Sequence, residues 1–215
     1  MILKYLGHAF FTITLENGKV IACDPYGDFY DYPKRSIAAD YCLVSHHHHD
    51  HDGVAQCLKP GAQVVDAEGV HKLEDGLTVR SVATWHDDKQ GALRGANLIH
   101  IIEAEGLRVA HAGDLGHMPD AQQIKQIGRI DVLLVPVGGY YTIDAPAALE
   151  LCRLLQPVCA VPMHYRTQYD PDMPVGTLRD FLDLVKAEDT QMPLLRIAKA
   201  DVRERPPVIT MAIRK

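Results

Sequence analysis

A cluster of histidines directly after an apolar segment is the feature that most constrains the fold of this chain. Residues 46–52 hold five histidines and two aspartates, and within them the pattern His-x-His-x-Asp-His runs from 46 to 51. The preceding residues, Tyr41-Cys42-Leu43-Val44, are apolar and predict a buried strand. The cluster is internal, unlike a purification tag. Imidazoles and carboxylates at a strand end are the ligands that zinc and related ions bind, so the fold is expected to bring further ligands there.

Composition indicates an ordinary globular protein. With 215 residues, 47% of them hydrophobic, the chain is expected to form one domain over residues 1–215 with a substantial core. A net charge of −6 without a basic run argues against nucleic acid as a partner. The absence of an export signal and of an apolar run near ~20 residues argues against a membrane. Five cysteines without a Cys-x-x-Cys pair then indicate reduced thiols in a cytoplasmic protein.

The predicted secondary structure changes character along the chain. The first half is rich in strands, and the second half alternates strands with helices. This pattern predicts an α/β fold, a four-layer αββα sandwich of two packed sheets with helices outside. Strands are predicted at 2–6, 9–15, 20–23, 41–44, 64–65, 78–82, 96–102, 107–112, 131–135, 158–162 and 208–213, and helices at 53–58, 120–127, 145–155 and 174–187.

Three further ligand candidates each lie just past a predicted strand. They are His86, Asp114 and His164. Side chains in this position can converge on one rim of the sheets. Gly113 precedes Asp114, and a glycine there lets the backbone pass close to another group.

Taken in order, these motifs resemble those of the metallo-β-lactamase superfamily, whose fold is an αββα sandwich with a binuclear metal site between the sheets. The resemblance extends over nearly the whole chain. A finer resemblance is to a branch of small bacterial and archaeal metal-dependent hydrolases related to ascorbate-phosphate lactonase. The segments that carry it are Leu6-Gly7-His8-Ala9, Asp24-Pro25, Arg94-Gly95-Ala96-Asn97, His111-Ala112-Gly113-Asp114, Pro136-Val137-Gly138-Gly139 and Pro162-Met163-His164-Tyr165.

The resemblance implies a centre of two divalent ions, with Zn²⁺ expected and Mn²⁺ or Fe as alternatives. A metal-bound hydroxide would attack a small ester, lactone, amide or phosphodiester, and Asp50 would orient this nucleophile. No protein nucleophile is required. The implied ligands are His46, His48 and His86 for one ion, Asp50, His51 and His164 for the other, and Asp114 as the bridge.

Other polar residues near the motifs have two interpretations each. His8 either contacts a ligand or the rim of the site, or is a hydrogen-bonded structural residue. Asp24 either orients a ligating imidazole or caps the loop that follows it. Arg94 either binds an anionic substrate or forms a surface ion pair. His111 is expected either in the core or in contact with a ligand, and His117 is expected to face the cleft.

The remaining neighbours of the motifs are not expected to bind the ions. His47, His49 and Asp52 should point away from them and hydrogen-bond to ligating imidazoles. Aromatic and basic side chains that either line the pocket or pack against the fold are Tyr140, Tyr141, Tyr165 and Arg166.

Two other functions stay open. Di-iron redox relatives carry glutamate at the position of His48, which argues against that class, but a mononuclear iron dioxygenase on the same fold keeps the histidine pattern. A non-catalytic metal-binding protein is disfavoured because all seven ligand types are present. The expected partner is a small-molecule substrate, for which Arg94 favours an anion. A homo-oligomer is left open.

Overall fold

The computed structural model describes residues 1–34, 36–200 and 202–213, and these form strands, three helices and two short 3₁₀ turns at Val54–Gln56 and Val202–Glu204. The helices are α1 (Ala121–Ile127), α2 (Ala145–Leu155) and α3 (Leu178–Val185). The strands are β1 (Ile2–Gly7), β2 (Phe10–Thr14), β3 (Val20–Cys23), β4 (Ala39–Leu43), β5 (Leu58–Val65), β6 (Gly69–Glu74), β7 (Leu77–Trp85), β8 (Ala96–Ala104), β9 (Leu107–His111), β10 (Val132–Pro136), β11 (Cys159–Met163) and β12 (Leu195–Arg196).

The strands form two mixed sheets of six strands each. The first has the order β12-β1-β2-β3-β4-β5, and the second has the order β11-β10-β9-β8-β7-β6. Strands β3, β4 and β5 run parallel in the first sheet, as do β9, β10 and β11 in the second. One apolar core includes buried side chains from both sheets, so the sheets pack against each other. The α/β sandwich predicted from the sequence is confirmed.

Strand direction places the ligand candidates at one edge. Because parallel strands end on the same side of a sheet, the residues after β3 and β4 leave the first sheet together, and those after β9 and β11 leave the second sheet together. Strand β7 is antiparallel to β8, which is antiparallel to β9, so β7 ends on the same side as β9. A backbone hydrogen bond of 2.9 Å from Leu98 to Ser45 joins the two sheets at this edge.

The first sheet is buried on both faces near the site. Phe11 and Leu43 face the core between the sheets, whereas Phe10 and Cys42, their neighbours along the strands, face the other way. That outer face is covered by the aromatic segment 26–32 and by residues 173–175. Helices α1 and α2 contact the second sheet, at β7 and β10.

Helix α3 is shorter than the predicted 174–187. Thr177 caps its first turn, and the Thr177 hydroxyl donates to Asp180 Oδ2 over 3.0 Å. The residues before the cap are extended, since Gly176 donates its N–H to Gly138 and accepts one from Arg166. The chain therefore cannot be helical from residue 174 onward. At the other end, Lys186 takes a left-handed conformation that stops the helix.

Other differences from the prediction lie at sheet edges. The predicted strand 208–213 is absent from the described residues, where Val208 and Met211 make only isolated bridges. The predicted helix 53–58 is a single 3₁₀ turn. Strand β6 was not predicted, because its glycine and charged residues hide the alternation of an edge strand. None of the helices in the described part of the chain has the length and apolar character needed to cross a bilayer.

Candidate metal centre

The histidine cluster forms a tight turn directly after β4. His51 and Asp52 both donate their N–H groups to the carbonyl of His48, at 2.9 and 3.0 Å. The turn separates the side chains. His46 and His51 are buried, whereas the side chain of His47 is 62% exposed and pairs with Asp52. The turn therefore separates buried members of the cluster from exposed ones, and His47 and Asp52 point away from the site.

Three imidazoles form one half of the site. Nitrogens of His46, His48 and His86 all lie within 4.8 Å of one another. His46 and His48 come from the turn after β4, and His86 is the first residue after β7. This grouping places together the residues expected to hold the first ion.

A second group lies beside it. Nitrogens of His8, His51 and His164 also lie within 4.8 Å of one another. His164 follows β11 directly, and His8 lies in the turn between β1 and β2. Asp50 borders this group, with its Oδ2 atom 3.3 Å from His8 Nε2 and 3.8 Å from His51 Nε2. The residues expected for the second ion are thus adjacent, with His8 among them.

Asp114 lies between the two halves and faces both with its two oxygens. Its Oδ2 atom is 3.3 Å from His86 Nε2 and 3.2 Å from His164 Nε2, and its Oδ1 atom is 3.2 Å from His51 Nε2. The side chain of Asp114 is 2% exposed. This is the position that a bridging carboxylate requires.

Close contacts around residue 113 explain why a glycine precedes Asp114. Gly113 has a φ of +55°, and a Cβ atom there would lie 2.3 Å from Asn97 Oδ1 and 2.5 Å from Ser45 Cβ. Asn97 Oδ1 accepts the backbone N–H of Asp114 at 2.8 Å. Only a glycine lets this buried amide come close enough to hold the Asp114 backbone.

Asp24 supports imidazoles of both halves. The carboxylate is fully buried and accepts a hydrogen bond from His51 Nδ1 at 2.9 Å. It also accepts the backbone N–H of Ser45 at 2.7 Å and the Ser45 hydroxyl at 2.5 Å. The same hydroxyl lies 2.9 Å from His46 Nδ1. Asp24 therefore orients one imidazole directly and one through Ser45, which is the arrangement that ligating histidines generally need.

Burial favours the neutral form of three imidazoles of the site, those of His8, His46 and His86. Burial lowers the pKa of His46 to about 3, and the nearby His51 adds to this effect. Burial and the neighbouring His164 lower the pKa of His8 to about 4. Burial also lowers the pKa of His86. Neutral imidazoles offer a lone pair to a metal ion without losing a proton first.

His51 behaves differently because two buried carboxylates flank it. Burial lowers its pKa, but Asp114 and Asp24 outweigh burial and hold that pKa well above its ordinary value. Burial opposes ionisation of Asp114, yet His164 and His51 keep the pKa of Asp114 well below its ordinary value. The carboxylates of Asp24 and Asp114 thus favour a positive charge at the His51 imidazole, and a bound cation beside it would also supply that charge.

A cavity of about 580 Å³ opens onto both halves. Asp50 and Asp114 line its floor together with imidazoles of the two groups. Its walls include Phe29 and Met173, which belong to the layer over the first sheet. Arg94 also lines it and lies 5.5 Å from the centre of the Tyr141 ring. The cavity thus combines apolar side chains with one arginine, and the exposed carboxylate of Asp28 belongs to its lining as well.

A buried carboxylate shapes the loop that carries Arg94. Asp87, next to His86, is 2% exposed and accepts backbone N–H groups of residues 89, 91, 93 and 94 at 2.7 to 3.0 Å. These bonds fold residues 87–94 into a compact loop. Arg94 therefore reaches the cavity from a loop anchored beside His86.

Some residues singled out in the sequence lie elsewhere. His117 accepts the N–H of Trp85 at 3.1 Å and contacts its neighbour's carbonyl, and it is not among the residues lining this cavity. Tyr165 is buried against Tyr5, with ring centres 6.2 Å apart. His111 is fully buried, as expected for the core, and contacts the carbonyl of Ala9 at 2.8 Å.

Several residues of the site were not assigned a role from the sequence. Asn97 holds the backbone of Asp114, and Ser45 contacts the imidazole of His46. Asn97 lies in the motif Arg94-Gly95-Ala96-Asn97, and Ser45 lies between the predicted strand 41–44 and the histidine cluster. Their position next to the motifs is the only signal. Phe29 and Met173 line the cavity from irregular segments, where no periodic pattern indicates which side chains turn inward.

Comparisons with known proteins agree with this geometry. A family model for the β-lactamase superfamily domain matches residues 2–164, a range that includes every expected ligand. A UPF0173 metal-dependent hydrolase of Archaeoglobus fulgidus is 30% identical to this chain, and the alignment covers 91% of this chain and 96% of that protein. Another, from Carboxydothermus hydrogenoformans, is 31% identical, with 84% and 91% covered.

A solved structure extends the likeness to the whole fold. A Thermotoga maritima protein of the metallo-β-lactamase superfamily superimposes with a TM-score of 0.82 and 32% sequence identity. The superposition covers 99% of each chain.

Proposed function

This chain belongs to the metallo-β-lactamase superfamily, and from that premise we propose that it is a binuclear metal-dependent hydrolase of a small ester, lactone, amide or phosphodiester. The observation that carries the proposal is Asp114, whose two oxygens face imidazoles of both halves at 3.2 to 3.3 Å. The proposed ligands are His46, His48 and His86, then Asp50, His51 and His164, and Asp114 between them.

The donor atoms fit divalent ions. Two ligands at tetrahedral positions about 2.0 Å from one zinc ion are separated by about 3.3 Å. Separations of 3.2 to 3.3 Å recur between Asp114 and the imidazoles of His51, His86 and His164. His46 Nε2 is buried without a hydrogen-bond partner, although such atoms are normally paired. Nitrogen and carboxylate donors suit Zn²⁺ best, with Mn²⁺ and Fe as alternatives.

Residues of the chain then divide the chemical work. Ions held by these residues would supply Lewis acidity and would lower the pKa of water to roughly 7. Asp50 lines the cavity, and its carboxylate can accept a hydrogen bond from the attacking water and hold it in line. Asp24 and Ser45 keep two imidazoles in a fixed orientation.

The cavity favours a small anionic substrate. A volume of about 580 Å³ admits a small molecule, and Phe29 and Met173 provide apolar walls. The Arg94 guanidinium stands on the cavity wall and can pair with a carboxylate or a phosphodiester. The Asp87 loop holds this cation near the ligands instead of leaving it free in solvent.

We also propose that the protein works in the cytoplasm. All five cysteines lie in described residues and are free, and four of them are buried. Unpaired thiols of this kind are usual in a reducing compartment.

Metal content per chain is the first test of the proposed function. Elemental mass spectrometry on untagged protein purified without chelator should find about two equivalents of zinc or manganese. An Asp114→Ala variant should lose metal and turnover of lactones, esters and phosphodiesters while its circular dichroism spectrum is kept. One equivalent of iron would favour the dioxygenase. Turnover by the metal-depleted protein would overturn the mechanism.

A further inference from the structure

We infer that His8 binds a metal ion directly, as an additional nitrogen ligand in the half of the centre formed by His51 and His164. The inference rests on the proposed binuclear centre and extends its set of seven ligands. It assigns a role to a histidine that lies outside the main cluster, in the turn between β1 and β2.

The His8 side chain lies at the centre of this half. It is 1% exposed, and its Nε2 atom lies 3.2 Å from His51 Nε2 and 3.3 Å from Asp50 Oδ2. Nitrogens of His8, His51 and His164 are within 4.8 Å of one another, the same relation that joins the three imidazoles of the other half. By position alone, His8 belongs to the donor group as fully as its neighbours.

The distances are those between ligands of one ion. The 3.2 Å between His8 and His51 equals the separations of Asp114 from His51 and from His164. Neighbouring ligands about 2.0 to 2.1 Å from one zinc ion lie about 2.8 to 3.4 Å apart, the lower value for six ligands and the upper for four. His51 Nδ1 already faces the Asp24 carboxylate, so the His51 Nε2 atom is the one that faces His8. Two ring nitrogens directed at each other across this distance are well placed to share a cation.

The backbone holds His8 in this position against its usual preference. His8 has a φ of +54°, a left-handed conformation that few residues with a side chain adopt. Its carbonyl accepts the N–H of His164 and the hydroxyl of Tyr5, each at 2.9 Å. The His8 ring packs on His164, with centres 4.2 Å apart, and on Phe29 at 4.6 Å. His8 and His164 are therefore fixed to each other, one from each sheet, as two ligands of one ion should be.

A role without metal contact makes a different prediction. His8 Nε2–H could donate to Asp50 and only orient that carboxylate. Loss of such a supporting hydrogen bond typically weakens metal binding 10- to 100-fold, roughly, and leaves the number of ligands unchanged. Loss of a ligand changes both the affinity and the electronic spectrum of the bound ion.

The test compares His8→Asn with His47→Asn. Asparagine tolerates the left-handed backbone at position 8. His47 belongs to the same histidine cluster, but its side chain is 62% exposed and pairs with Asp52 away from the cavity, so it serves as the matched control. Each metal-free variant is first shown by circular dichroism to be folded, and is then titrated with Co²⁺ and, in chelator competition, with Zn²⁺.

His47→Asn should bind two ions with the same affinities as wild type. His8→Asn should lose more than about 100-fold in affinity for one ion, beyond the range of a supporting residue. The intensity and position of the visible Co²⁺ bands should change with it. A smaller loss with unchanged Co²⁺ bands would overturn the inference in favour of the supporting role.

The proposed function fails on a different result. Wild type with one ion overturns the binuclear centre, and the His8 inference is then decided by whether His8→Asn alters the Co²⁺ spectrum of that ion. Wild type that binds no ion overturns both. Two ions in wild type and an unaltered His8→Asn variant overturn the His8 inference alone.

Discussion

Replacement of Asp24 by asparagine should weaken the binding of both metal ions at once, although Asp24 is not a proposed ligand. Its carboxylate accepts three hydrogen bonds, from the Ser45 N–H, the Ser45 hydroxyl and His51 Nδ1. Asparagine keeps one acceptor oxygen and replaces the other with an NH₂ donor. In either orientation the NH₂ group faces at least one buried N–H, so the network cannot be satisfied.

The expected magnitude follows from these contacts. A lost partner of a ligating imidazole costs roughly 10- to 100-fold in metal affinity, or about 1.4 to 2.7 kcal/mol. His51, in one half, loses its direct hydrogen bond to Asp24, and His46, in the other half, is affected through Ser45. The metal-free protein should also lose about 1 to 3 kcal/mol in its free energy of unfolding, because a buried donor is left unpaired.

Competition with a chromophoric zinc chelator measures the affinities for both ions. Urea unfolding of the metal-free protein measures the loss in free energy of unfolding. Asp52→Asn is the matched control. Asp52 lies in the same turn as His51, but its carboxylate pairs with the exposed His47. Its loss should therefore change neither the metal affinities nor the free energy of unfolding. Wild-type affinity for both ions in Asp24→Asn would refute the argument that this carboxylate orients the ligands.

Three further changes test other parts of the structure. Gly113→Ala should cost about 2 to 3 kcal/mol in free energy of unfolding, since the new Cβ would lie 2.3 Å from Asn97 Oδ1, and urea titration would expose an error if stability were unchanged. Arg94→Ala should retain metal and raise KM for anionic substrates about tenfold with little change for neutral ones, so equal effects on both would contradict the anion-binding role. Asp40→Asn should cost about 1 kcal/mol at neutral pH, because Lys59, the Val20 N–H and Lys19 outweigh burial and lower the Asp40 pKa to about 2. The lowered pKa of Asp40 stabilises the fold, and this stabilisation is fully present above the unfolded-state pKa of 3.8 and is lost as the pH falls through about 2. In acid titrations, the difference in stability between wild type and Asp40→Asn should therefore disappear between these two pH values.

The sequence carried enough information to predict where ligand candidates would meet. His86 and His164 directly follow strands, and Asp114 comes soon after β9. Strand direction decides at which edge of a sheet such residues emerge. Helices α1 and α2 were also predicted closely, and the structure shows Asp120 and Asp144 capping their first turns.

What could not be predicted depends on contacts between distant segments. Helix α3 starts late because Gly176 pairs with Gly138, a bond that no local pattern reveals. The cavity wall at Phe29 depends on how an irregular segment lies over the first sheet. His8 likewise had two interpretations in the sequence, since a turn histidine is placed by its partners and not by periodicity.

The division of ligands between the sheets ties metal binding to the packing of the fold. His46, His48 and His51 extend from the first sheet, whereas His86, Asp114 and His164 extend from the second. An ion held by both groups would therefore link the two sheets at their interface. Backbone hydrogen bonds from Leu98 to Ser45 and from His164 to His8 join the sheets nearby. Because the proposed ligands are brought together only when the sheets pack, the free energy of metal binding would add to the free energy of folding. Asp24, Ser45 and Gly113 are not among the residues that line the cavity, yet they fix the positions of proposed ligands from both sheets.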